Sequence, residues 1–141
     1  MSQHLLDADV IIWFLRGDEA AIDLVSKLHT ANIPAVSAIT IFQVKAGMRP
    51  KEKQPTEEFL DSMQSCDVTP RIATKAAEYF RTFRAHGLTL EIADLIMAAT
   101  ASVHGLALAT YNKSHFPMTD IRVYPTSPPV PRSRRPQKPR S

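Results

Sequence analysis

The chain has 141 residues, which fits one compact domain with a real hydrophobic core. Its single cysteine, Cys66, excludes an internal disulfide framework, and its five histidines show no zinc-ligand spacing with that cysteine. The formal charge is +3 over the chain and +5 over the residues after Tyr124, so residues 1–124 carry −2 and the basic character belongs to an appendage.

In chain order, His4 to Leu6 predicts a short buried strand, and Val10 to Leu15 a helix closing near Gly17. Ala20 to Leu28 has apolar residues at helical spacing. Pro34 to Ala38 predicts a second strand. Thr40 to Met48 predicts a helix with Thr40 at its N-cap, ending near Gly47. Arg49 to Pro55 reads as a solvated loop, and Thr56 as the start of a helix with Phe59, Leu60 and Met63 on its apolar face. Cys66 to Val68 predicts a third strand and Arg71 to His86 a long helix burying Ile72, Ala76, Tyr79, Phe80 and Phe83. A helix around Asp94 ends at Gly105, followed by strands at Leu106 to Thr110 and, more weakly, Ile121 to Tyr124. The triplets His86-Gly87-Leu88 and His104-Gly105-Leu106 are explained as two helix C-caps. Strands alternating with helices imply a parallel sheet covered on both faces. From Pro125 to Ser141 the chain alternates proline with Ser, Arg and Lys, a composition expected to be disordered or polyproline-like. The expected division is therefore a domain over 1–124 and a basic tail over 125–141. No apolar run approaches the ~20 residues needed to span a bilayer. The N-terminus lacks a basic start and apolar run, so a reducing cytoplasm is the expected compartment, with no membrane association.

Asp7 and Asp94 both sit in stretches whose other residues favour burial, where an ionised carboxylate is costly unless hydrogen-bonded, paired or metal-bound. In open parallel sheets, ligands gather at the carboxyl ends of the strands. Asp7 follows the first strand, Gln43 lies on the first turn of the helix after the second, Asp94 starts the helix before the fourth, and Asn112 follows that strand. Four oxygen-bearing side chains are thus expected on one rim, a donor set suited to Mg²⁺ or Mn²⁺.

Leu5-Leu6-Asp7-Ala8-Asp9-Val10-Ile11-Ile12 resembles the opening of PIN-domain nucleases, particularly the VapC toxins of bacterial toxin–antitoxin pairs. Asp94-Leu95-Ile96-Met97-Ala98-Ala99-Thr100-Ala101 and Gly105 to Phe116 resemble the closing half of that family, so the likeness runs from about residue 3 to about residue 124. It implies a PIN-like three-layer α/β fold, with a central mostly parallel sheet flanked by helices. It further implies metal-dependent hydrolysis of RNA phosphodiester bonds, with Asp7 and Asp94 as metal ligands and Gln43 and Asn112 completing the water and phosphate contacts. The implied partners are an RNA substrate, a VapB-type antitoxin and a second copy of the chain, met by the helices after strands one and two, where Trp13 and Phe42 stand. The sequence departs from the family at Gln43, where Glu is usual, and at His115, where many relatives carry an acid. Gln43 keeps a carbonyl oxygen but loses the charge.

Each of these residues also has an ordinary structural reading. Asp7 alone reads as a strand-end turn or helix cap. Asp94 alone reads as a first-turn acid set against the helix dipole. Asp9 is as well suited to capping as to orienting water, and Glu91 is read as a solvated first-turn acid. Thr40-x-x-Gln43 matches a capping box. His115 reads as a surface side chain, and Tyr111, Lys45 and Lys113 as exposed polar groups or RNA-backbone contacts. Trp13 and Phe14 read as core or partner surface. The alternative function is a catalytically weakened PIN-like module that binds RNA or antitoxin.

Overall fold

The computed structural model describes residues 2–127 and Pro129. Strands β1 (His4–Leu6), β2 (Ala35–Ser37), β3 (Gln64–Cys66), β4 (Ala107–Ala109) and β5 (Arg122–Val123) form one sheet in the order β3-β2-β1-β4-β5. Every pairing is parallel, with Leu5 opposite both Ala35 and Leu108. Helices α1 (Ala8–Leu15), α2 (Glu19–Ala31), α3 (Ala38–Gly47), α4 (Lys53–Asp61), α5 (Pro70–Ala85) and α6 (Ile92–His104) cover the sheet, with short 3₁₀ turns at Pro50–Glu52 and Lys113–His115.

Strand alternation sends neighbouring residues to opposite faces. Leu5, Ala35 and Leu108 pack with Ile72, Tyr79, Leu95 and Met97 of α5 and α6. Leu6, Val36 and Ala109 pack with Val10, Ile11, Val25, Val44 and Leu60 of α1 to α4. The result is the three-layer α/β arrangement the sequence implies. Helix α3 joins the layers, since Ile39 packs with the first group and Ile41 and Val44 with the second.

Several boundaries differ from the sequence expectation. Helix α3 starts two residues before Thr40, because the Ser37 hydroxyl at the end of β2 accepts from the Ile39 amide and caps it. Thr40 is instead fully buried, its hydroxyl 2.9 Å from Met97 Sδ, so the Thr40-Gln43 capping box does not form. Gln43 therefore lies on the second turn of α3. Helix α4 begins at Lys53 within the expected loop, and Thr56 is a buried residue inside the helix rather than its start. The third strand is Gln64–Cys66 and ends where the sequence places its start.

The glycines after α5 and α6 do close those helices. Gly87 and Gly105 take φ of 79° and 64°, and Leu88 and Leu106 donate back to Phe83 and Ala101 at 2.9 Å. Past β5, the Tyr124 amide donates to Leu108 O at 2.7 Å and the Thr126 hydroxyl to Thr110 O at 2.6 Å. The expectation of disorder for 125–141 falls, from residue 130 on and at Pro128, outside the described residues.

Candidate active site

The chain runs outward from β1 to β2 and β3, then returns to place β4 on the other side of β1. The switch point of the sheet consequently lies beyond the carboxyl ends of β1 and β4, where such sheets bind ligands. Asp7 leaves β1 at that point. Its amide still donates to Ala109 O, extending the ladder, while its side chain caps α1 by accepting from the Ala8 amide at 2.8 Å. The other carboxylate oxygen accepts from the Thr110 hydroxyl, also at 2.8 Å, across 103 residues of sequence.

Thr110 is fully buried at the end of β4, and its hydroxyl oxygen in turn accepts from the Asn112 amide at 3.0 Å. Asp9, in the first turn of α1, accepts from its neighbour Val10 at 2.7 Å. Its other oxygen accepts from the Tyr111 amide and from Asn112 Nδ2, both at 3.0 Å. The loops after β1 and β4 are therefore stitched together by two carboxylates and one hydroxyl. Asp94, in the first turn of α6, has its carboxylate 3.3 Å from His115 Nδ1.

The Asp7 charge bears on both other carboxylates. Burial pushes the Asp9 carboxyl up to about 6, and the Asp7 charge adds to the shift. Burial raises Asp7 as well, against hydrogen bonds from Thr110 and Ala8 and the pull of His115. Asp94 is raised first by burial and then by Asp7, which brings the two widely separated aspartates into one electrostatic unit. The structure thus joins Asp7, Asp94 and Asn112 at one rim.

Gln43 is joined to none of them by a hydrogen bond. Its Oε1 is buried without a partner on α3, which packs against both α1 and α6. A buried amide oxygen left unpaired is costly. Two further residues belong to the rim. Thr110 escapes sequence reasoning, although a threonine ending an otherwise Ala-Leu-Ala strand is the available signal. His115 is half-exposed, as a surface residue should be, but it faces Asp94.

The donor set fits a hard divalent cation. It consists of oxygens held in mutual repulsion, with the orphaned Gln43 Oε1 on the helix between α1 and α6. Among the described residues no group of three His, Cys, Asp or Glu side chains forms a ready metal cage.

A parallel sheet with acids gathered at its switch point is the arrangement that the resemblance implies, and the PIN domain family matches residues 4–120. The chain belongs to that family. It is 35% identical over 114 residues to Ribonuclease VapC10 of Mycobacterium tuberculosis, covering 81% of this chain and 86% of that one. Ribonuclease VapC19 of the same organism is 32% identical over 115 residues, covering 81% and 92%. Among solved structures, DNA-bound VapBC from Salmonella typhimurium superposes with a TM-score of 0.75 at 21% identity, covering 88% of this chain and 98% of that one.

Proposed function

We propose that this protein is a metal-dependent endoribonuclease and the toxin component of a VapBC-type toxin–antitoxin pair. The carrying observation is the gathering of Asp7, Asp94 and Asn112 beyond the carboxyl ends of β1 and β4, where Thr110 bonds Asp7 and Asn112 and His115 faces Asp94. Asp7 and Asp94 would hold Mg²⁺ or Mn²⁺, which supplies charge neutralisation for the phosphate under attack and makes a bound water more acidic. Thr110 holds the Asp7 carboxylate in place through its hydroxyl, and Asp9 does the same for the Asn112 amide. From that position Asn112 is assigned to the water or phosphate. Identity to two VapC ribonucleases over most of the chain supports the substrate class.

A VapB-type antitoxin is the proposed partner. A shallow groove lined by Ile12, Leu15, Val44 and Met48, with Arg16 and Glu52 beside it, offers it an apolar seat. Phe42 on α3 is 66% exposed, which supports a second copy of the chain as a further partner. No helix among the described residues is long and apolar enough to cross a membrane.

The test is hydrolysis of single-stranded RNA by the purified protein with Mg²⁺ or Mn²⁺. Asp7→Asn and Asp94→Asn should each abolish it, and chelation should do the same. Activity that persists in both variants would sink the assignment. The absence of acids at Gln43 and His115 favours a second reading, a binding module without catalysis. That reading takes over if wild type binds RNA or antitoxin and hydrolyses nothing.

A further inference from the structure

His115 is fixed beside the candidate site from two directions. It closes the 3₁₀ turn Lys113–His115, where its amide donates to Asn112 O at 3.0 Å. Asn112 is itself bonded to Asp9 and Thr110. On the other side Phe116 is buried among the residues packed with α5 and α6, and its amide donates to Lys113 O at 3.0 Å. The backbone at His115 is thus anchored to both the rim and the core. Its Nδ1 lies 3.3 Å from Asp94 Oδ2, and the imidazole also pulls on the Asp7 carboxylate.

An ion pair is one use of that contact, and a shared cation is another. Two ligand atoms at neighbouring corners of an octahedron, each with a bond of about 2.1 Å, lie about 3.0 Å apart. The separation of Nδ1 and Oδ2 is close to that span. An imidazole that donates through Nδ1 can take its other neutral tautomer, with the hydrogen on Nε2. The Nδ1 lone pair then faces a metal. The rest of the rim is short of free charged donors. The Asp9 oxygens are taken by Val10, Tyr111 and Asn112, and Gln43 brings no charge. Nitrogen ligands favour first-row transition ions, with affinity rising from Mn²⁺ to Co²⁺, whereas carboxylate, carbonyl and water suit Mg²⁺.

We propose that His115 is a ligand of the cation at this site, binding it through Nδ1 beside Asp94 and making the site prefer Mn²⁺ or Co²⁺ over Mg²⁺. The proposal rests on the reading of Asp7 and Asp94 as metal ligands, and it chooses among the ions which that reading leaves open. A histidine that served only as a countercharge for Asp94 would compete with every cation alike. The two roles therefore differ in sign. Removing a ligand weakens the binding of transition ions, whereas removing a competitor strengthens the binding of all ions.

The test is metal binding by the full-length chain without RNA. Mn²⁺ binding is followed by electron paramagnetic resonance, with Mg²⁺ and Co²⁺ as competitors, for wild type, His115→Ala, His115→Asp and Asp94→Asn. Wild type should bind Co²⁺ and Mn²⁺ more tightly than Mg²⁺. His115→Ala should lose at least about tenfold in Co²⁺ affinity while its Mg²⁺ affinity changes little. His115→Asp supplies an oxygen in place of the nitrogen, so it should bind Mg²⁺ more tightly than His115→Ala and keep the lower ratio of Co²⁺ to Mg²⁺ affinity. Proton NMR of wild type alone gives a second reading, since bound Co²⁺ should shift the His115 ring signals far outside their ordinary range. Unshifted ring signals overturn the proposal, as do equal Co²⁺ to Mg²⁺ ratios in wild type and His115→Ala. Tighter binding of all three ions by His115→Ala also overturns it and makes the residue a countercharge. Unaltered metal binding in Asp94→Asn, or a wild type that binds none of the three ions, would remove the metal site and the inference together. A wild type that shows the preference and hydrolyses no RNA leaves His115 a ligand and ends the ribonuclease reading.

Discussion

The Thr110 hydroxyl serves two neighbours, donating to Asp7 and accepting from the Asn112 amide. Thr110→Val keeps the shape and removes both bonds, leaving a buried carboxylate with one partner fewer. A hydrogen bond to a charged group contributes about 1.5–3 kcal/mol, so a loss of that order is expected in thermal unfolding, together with a fall in hydrolysis rate. Thr110→Ser should restore most of both, and a Val variant indistinguishable from wild type would remove Thr110 from the site. Gln43→Glu tests the missing charge. A carboxylate replacing the unpaired Oε1 should lower stability without metal, because it is buried and uncompensated. If Gln43 adjoins the cation, metal binding to the folded state should return that loss, giving a larger metal-induced rise in melting temperature than wild type shows. No change in either quantity would separate Gln43 from the site. Asp7 and Asp94 are legible in the sequence because carboxylates in apolar stretches demand an explanation. Thr110 is not, since a β-branched residue ending a strand is ordinary and its partner lies 103 positions away.

Helices α5 and α6 are tied to the approach to β5 through Asp120. Tyr79 donates to one carboxylate oxygen at 2.7 Å, while Lys75 lies 3.1 Å and the Ser102 hydroxyl 3.4 Å from the other. Burial alone would raise the Asp120 carboxyl, but the bonds from Tyr79 and Lys75 outweigh it and hold it below its ordinary value. A carboxyl depressed in the folded state adds stability above its unfolded value of 3.8, and that stability is lost as pH falls through the folded value. Asp120→Asn should therefore melt below wild type at neutral pH, and the gap should close in strong acid. A gap independent of pH would show that the carboxylate charge is not what matters. The element pattern itself is readable, because each strand is a short apolar run between helical periods. Boundaries are less so where two capping residues compete. Ser37 and Thr40 both suit an N-cap, and only the reach of the Ser37 hydroxyl to Ile39 decides between them. Pro55 makes the start of α4 look like loop, yet a first-turn proline costs no intrahelical hydrogen bond.

Across the whole molecule, charge and stability are divided along the chain. The sheet and its helices hold the acids that make the candidate site, while five of the cations lie beyond Thr126 and its bond to the fold. Order in the sequence shows this division but not where the second part begins, because Pro125 to Ser127 shares the Pro-Ser character of the residues beyond it. The structure shows that Tyr124 and Thr126 still bind the fold. Two truncations separate the parts. Ending the chain after Ser127 removes only Pro, Arg, Lys, Ser, Gln and the single large apolar residue Val130, so stability should change by less than about 0.5 kcal/mol. Ending it after Val123 removes the Tyr124–His4 ring pair, for which about 0.5–1.5 kcal/mol is typical. It also removes two hydrogen bonds to β4 and its following residue, at about 1 kcal/mol each. Together these should lower the melting temperature by roughly 6–15 °C for a domain of this size. The shorter form should also lose hydrolysis rate, since the Thr110 carbonyl loses the bond that fixes the end of β4 beside Asp7. Equal melting temperatures for the two truncations would mean that residues 124–127 contribute nothing to the fold.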